Sequence, residues 1–170
     1  MNKRWLFFVG ASLLGSLPAL AQDQAAAALT AAGCGPTSQS FDVKTTDSQH
    51  PVSQPEAGKA LVYFAVNYYA APTMRMGVDG TWMGANNGRS YFFFQVAPGE
   101  HNFCVAWQSR AYKKTALSAG EAIHLTVEAG KTYYLRLTSD NTRLHLELSD
   151  EAEGHFLVGT SLYATSQPKK

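Results

Sequence analysis

The sequence predicts an all-β fold, a small antiparallel β-sandwich of about seven to eight strands with an extended N-terminal arm and a short C-terminal helix. Three observations predict it. From Ala60 onward, apolar residues alternate with polar ones in short β-prone blocks. Strong turn formers separate the blocks: Asp79-Gly80, Pro98-Gly99 and Glu128-Ala129-Gly130. The chain also holds only two cysteines, Cys34 and Cys104, one before the blocks and one within them.

Residues 1–21 read as a signal peptide. Lys3 and Arg4 precede an apolar run from Trp5 to Leu20, which ends at Ala19-Leu20-Ala21. The run is too short and too interrupted for a spanning helix, which needs about 20 apolar residues. No second long apolar stretch follows, so an exported, periplasmic or extracellular protein without a transmembrane segment in its mature part is expected. Without Lys3 and Arg4, 12 basic residues face 13 acidic ones, a near-neutral balance that gives no reason to expect nucleic acid as a partner.

Residues 22–57 divide into an Ala-rich leader and an arm rich in Pro, Ser, Thr and Gln, with one short strand expected at Phe41 to Lys44. Cys34 has two readings. In an oxidising compartment it pairs with Cys104, the single intramolecular pairing open to two cysteines. Alternatively it is lipidated, since Ala31-Ala32-Gly33-Cys34 loosely resembles a lipobox, although the apolar core ends well upstream. The disulfide is the expectation carried forward.

The sandwich is expected over 58–160. Leu61 to Val66 is its first strand, ended by Tyr68-Tyr69-Ala70-Ala71-Pro72. Asp79-Gly80 predicts a two-residue hairpin pairing Val78 with Thr81 and Met76 with Met83. That register puts Met74, Met76, Val78 and Met83 on one apolar face and Trp82 opposite Gly77. Ser90 to Val96 is a further strand, and Pro98-Gly99 returns the chain into His101 to Gln108, with Phe103, Val105 and Trp107 on one face and Cys104 on the other. A three-residue loop at Glu128 to Gly130 and a two-residue turn at Asp140-Asn141 then set Ile123, Leu125 and Val127 beside Tyr133, Leu135 and Leu137, with Leu144 opposite Leu137 and Leu146 opposite Leu135. After Leu148, Ser149-Asp150-Glu151 resembles a helix start. Residues 161–170 read as a flexible tail.

Several of these residues form a recognisable series. Gly58-Lys59-Ala60-Leu61-Val62-Tyr63-Phe64, Met76-Gly77-Val78-Asp79-Gly80, Trp82-Met83-Gly84, Ser90-Tyr91-Phe92 and Val96-Ala97-Pro98-Gly99-Glu100-His101 resemble the bacterial domain of unknown function family numbered 2846. The series is also similar to the PEGA-like small envelope β-domains. The resemblance spans roughly residues 58 to 150 and implies a compact envelope β-sandwich. It brings no catalytic residues.

Chemistry-bearing patterns are few. None of His50, His101, His124, His145 and His155 has metal-ligand spacing, so no metal and no cofactor are expected. The register places His124 and His145 on one outward face, two strands and more than about 10 Å apart. There is no Gly-x-Ser-x-Gly, no paired carboxylates and no Gly-rich phosphate loop, so a non-catalytic protein is expected. Aromatic residues beside turns are the candidate binding set: Trp82, Tyr68 and Tyr69, with Tyr112 and Arg110 in the basic loop 108–119. Such a set suits an envelope protein or glycan partner. A structural module acting through its strand edges is the alternative, and an unrecognised hydrolase is the third reading.

Overall fold

A computed structural model describes residues 32, 34–68, 72–108, 120–139 and 144–170. The chain forms β1 (Phe41–Thr46), β2 (Ala60–Val66), β3 (Met74–Val78), β4 (Thr81–Asn86), β5 (Ser90–Val96), β6 (Gly99–Trp107), β7 (Glu121–Val127), β8 (Thr132–Ser139), β9 (Leu144–Ser149), α1 (Glu151–Thr160) and β10 (Leu162–Pro168). Two sheets pack as a sandwich, a six-stranded one ordered β1-β10-β5-β2-β8-β9 and a four-stranded one ordered β4-β3-β6-β7. Between them lies the main core, with Val62, Phe64 and Leu135 from one sheet meeting Met76, Phe103 and Val105 from the other.

The larger sheet is mixed rather than antiparallel: β2 runs parallel to β8 and β10 parallel to β5. Short connections step between the sheets instead of closing hairpins, as Asn87 to Arg89 does from β4 in the four-stranded sheet to β5 in the six-stranded one. Ala97-Pro98 carries the chain from β5 in one sheet to β6 in the other, and Glu128 to Lys131 carries it from β7 to β8. The expected meander of three strands therefore does not form; β7 pairs with β6, and His124 and His145 stand in different sheets. Gly130 does adopt the left-handed φ of +77°.

Two registers differ from expectation. In the β3–β4 hairpin, Val78 faces Thr81 and Gly77 faces Trp82, but Met76 faces Gly84. Met83 is thus the extra residue of a bulge, and it turns outward, 37% exposed, instead of joining the apolar face. In the β8–β9 pair, Leu137 faces Leu146 and Leu135 faces Leu148. The connection is two residues longer than a tight Asp140-Asn141 turn, and a slip of two leaves every side chain on its expected face. Leu135, Leu137, Leu144 and Leu146 are all buried.

Both outer faces carry a second apolar layer. Outside the four-stranded sheet, Cys34, Phe41, Trp82, Ala85, Cys104 and Ala106 cluster beneath the arm. Cys34 and Cys104 are joined as a disulfide, their Cα atoms 5.8 Å apart. Outside the six-stranded sheet, Leu61, Tyr63, Ala65 and Tyr91 are covered by Leu157 and Val158 of α1. The helix begins where expected: the Asp150 side chain accepts the Glu153 N–H at 2.8 Å. The segment read as a flexible tail is strand β10 instead. It pairs with β1 from Phe41–Pro168 to Thr46–Tyr163, and Ala164 is buried against the sheet.

Candidate functional site

The parallel register of β2 with β8 sets Tyr63 beside Tyr134 on the outer face of the larger sheet. Their rings stack with centroids 5.2 Å apart and planes 15° from parallel. Phe93 lies 5.3 Å from Tyr63, and Tyr163 completes the cluster 5.5 Å from Tyr91. Helix α1 crosses this aromatic floor at Gly154, where any side chain would collide with the Tyr134 ring. His155 meets the same ring edge-on at 5.6 Å.

On the other side of the floor runs the arm. The Ser53 N–H donates to Tyr63 Oη at 2.9 Å, Tyr91 Oη donates to the Pro51 carbonyl at 3.1 Å, and Gln95 Nε2 donates to the Gln54 carbonyl at 3.0 Å. These bonds hold residues 51–54 above β2 and β5, opposite α1. Between arm and helix lies a groove of about 450 Å³ lined by His50, Val52, Gln54, Tyr134, Glu151 and His155, among others. A second hollow of about 380 Å³ shares Thr132, Tyr134 and Glu151 with it and ends at Leu148 and Ser149. Together they form one trough along α1, from Glu151 to Gly159.

The trough is polar at its walls and aromatic at its floor. Burial, with the neighbouring Tyr63 and Tyr163 phenols, pushes Tyr91 up to about 12. Burial, the Tyr63 phenol and the Glu151 carboxylate likewise raise Tyr134. Both phenols therefore stay neutral at ordinary pH. Among the described residues, no three His, Cys, Asp or Glu side chains converge on a point where a metal ion would fit.

The residues expected to bind are distributed differently. Trp82 is only 5% exposed, because the arm lies on it. Its indole N–H donates to the Pro36 carbonyl at 2.8 Å, Gly35 rests against its ring, and the Arg75 guanidinium stands 4.4 Å from the ring centroid. An exposed Trp82 is thus corrected to a buried one: a bare indole beside Gly77 is a large apolar surface, and the disulfide brings a cover to it. Arg75 is itself buried, and burial lowers its pKa; it donates to the Thr37, Gln39 and Trp107 carbonyls, pinning the arm further. Tyr68 is half-buried against the core between the sheets, so it does not join a face with Trp82. Tyr69, Arg110 and Tyr112 lie outside the described residues.

Sequence reasoning missed Tyr63, Tyr134, Gln54 and Glu151. A signal was present: Leu61-Val62-Tyr63-Phe64-Ala65-Val66 is unbroken apolar rather than alternating, the mark of a strand covered on both faces.

The free edges of the larger sheet are partly occupied. On the side of β1 away from β10, the Phe41 N–H donates to Gln108 Oε1 at 2.6 Å and Gln108 Nε2 donates to the Phe41 carbonyl at 2.8 Å. On β9, the Leu146 N–H donates to Glu121 Oε2 at 2.9 Å. Each side chain takes backbone groups that an added strand would use.

The family model described as protein of unknown function DUF2846 matches residues 56–149. The chain belongs to that family. The DUF2846 match runs from the end of the arm through β9 and stops just short of α1, so Tyr63, Tyr91, Phe93 and Tyr134 of the floor lie within it, while Tyr163 and the arm and helix walls lie outside. No curated protein matches the chain. Among the described residues, no helix is long and apolar enough to cross a membrane.

Proposed function

We propose that this chain is an exported, non-catalytic binding module that takes an extended segment of a partner protein of the cell envelope into the trough between the arm, β8 and α1. Export is supported by the signal-type N-terminus together with a buried disulfide, a bond that persists in oxidising compartments. The observation that carries the binding reading is convergence. Residues 50–54, 132–134 and 151–159 lie far apart in the chain and meet around one trough.

The chemistry of the trough favours a peptide over a sugar. A saccharide is held by an open aromatic face, and Tyr134 is packed on by Gly154, Tyr63 and His155, while Tyr63 is 3% exposed. Apolar side chains instead stand open at the two ends, Val52 at one and Leu148 at the other. Hydroxyl, amide and carboxylate groups from Thr132, Gln54 and Glu151 lie between them, suited to peptide backbone. A photoreactive residue at Thr132 is expected to crosslink to one linear stretch of an envelope protein, whereas one at the exposed Thr45 of β1 is not. Filling the trough with Thr132→Arg should weaken capture by about tenfold or more, a change of about 1.4 kcal/mol. Undiminished capture by Thr132→Arg, or crosslinking to saccharide alone, overturns the reading.

A further inference from the structure

One imidazole joins two turns at an end of the sandwich. Asp79 and Gly80, at φ of +47° and +85°, close β3 onto β4, and Ala97-Pro98 leads from β5 to β6. His101, near the start of β6, reaches both. Its Nδ1 lies 2.5 Å from Asp79 Oδ2 and its Nε2 lies 2.8 Å from the Ala97 carbonyl oxygen. A carboxylate and a peptide carbonyl both only accept. A neutral imidazole carries a single N–H, so it satisfies one of them; satisfying both requires the imidazolium.

The surroundings fix this geometry. Asp79 Oδ1 accepts the Asn102 N–H at 2.9 Å, and the Asp79 N–H donates to the Asn102 carbonyl at 3.1 Å. The His101 side chain is 13% exposed and meets the Phe103 ring edge-on at 6.0 Å. With Nε2 committed to Ala97, the pair lacks the outward nitrogen through which an acid-oriented histidine would act as a base.

We propose that His101 is a proton-operated clasp: doubly protonated, it ties the Asp79-Gly80 hairpin tip to the Ala97-Pro98 turn, and loss of one proton releases one turn from the other. The Val-Asp-Gly and Pro-Gly-x-His patterns, twenty residues apart in the chain, are then halves of one device.

The electrostatics agree in sign. Burial alone pulls the His101 pKa down, but the hydrogen bonds to Asp79 and Ala97 and the Asp79 charge outweigh it and hold the pKa above its ordinary value. Burial pushes Asp79 up, and the Asn102 N–H, His101 and the His124 imidazole of β7 together bring it below the usual carboxylate range. Glu100 of β6 lies 3.9 Å from His124 Nε2. A raised histidine pKa gives stabilisation that is complete below the unfolded value and lost as pH rises through the folded one. A lowered aspartate pKa gives stabilisation present above its unfolded value and lost as pH falls through the folded one. The clasp is therefore closed between the two folded pKa values.

Long-range proton–nitrogen spectra of the full chain across pH test this. Both His101 ring nitrogens should be protonated at pH 6, with a midpoint above the ordinary value of about 6.5. Protection of the Asn102 amide, corrected for intrinsic exchange, should fall with the same midpoint. Asp79→Asn keeps an acceptor and tolerates the positive φ, so it should fold while lowering that midpoint by about one unit. A His101 ring with one proton at pH 6, a midpoint unmoved in Asp79→Asn, or Asn102 protection that ignores the midpoint each overturns the proposal.

Discussion

Two glycines set how closely covering segments approach the aromatic rings beneath them, Gly154 on Tyr134 and Gly35 on Trp82. In a helix alanine is ordinarily the better residue by about 1 kcal/mol. Gly154→Ala should nevertheless destabilise the protein by about 1–3 kcal/mol, because the methyl group must displace the helix or the ring. Gly159→Ala is the control: nothing stands within 4 Å of its added carbon, and it should stabilise by about 0.5–1 kcal/mol. Urea unfolding of the pair measures both signs. At this scale the sequence was legible for backbone reasons and less so for exposure. Gly154 reads as a weak point of a helix until the ring beneath it is known. Trp82 beside a turn reads as exposed, because no local pattern announces that residues 34–41 will lie across it.

The arm is the element whose attachment is most redundant. A covalent bond at Cys34, the indole bond to Pro36, Arg75 on two arm carbonyls and Gln108 on Phe41 all act within eight residues. Replacing both cysteines with serine opens a loop of sequence separation 70 and should cost about 4 kcal/mol in the chain-entropy account, read as a lower urea midpoint. Gln108→Ala addresses the edge instead: it exposes the Phe41 backbone to strand addition and should promote association, visible by light scattering at concentrations where the parent is unchanged. Arg136 ties another junction, pairing Glu147 of β9 and Glu153 of α1 from its place on β8. Elements closed by nearby signals, the β3–β4 hairpin and the Asp150 cap, follow from the sequence. β10 does not, since Leu162 to Pro168 contains few strand-favouring residues and is ordered by its neighbours β1 and β5.

For the whole molecule, alternation reveals which way side chains point but not which strand they meet. A short turn with glycine can close a hairpin or step between layers, and the turns at Gly88, Gly99 and Gly130 step. That is why the facing residues of β7, β8 and β9 are legible while their partners are not, and why the trough, built from the unpredicted parallel pairing of β2 and β8, is the least legible feature. The global pH profile should show the clasp as a loss of stability on both the acid and alkaline sides, and Asp79→Asn should flatten it, as thermal unfolding across pH would show.

The place of β10 also governs assembly. The last strand in chain order lies between β1 and β5, and it pairs with residues of β1 more than 100 positions away. Pairings of such span are slow to form. During synthesis the larger sheet thus stays unfinished until Pro168 has emerged, so the nascent polypeptide cannot lock into its final form before its last strand is made.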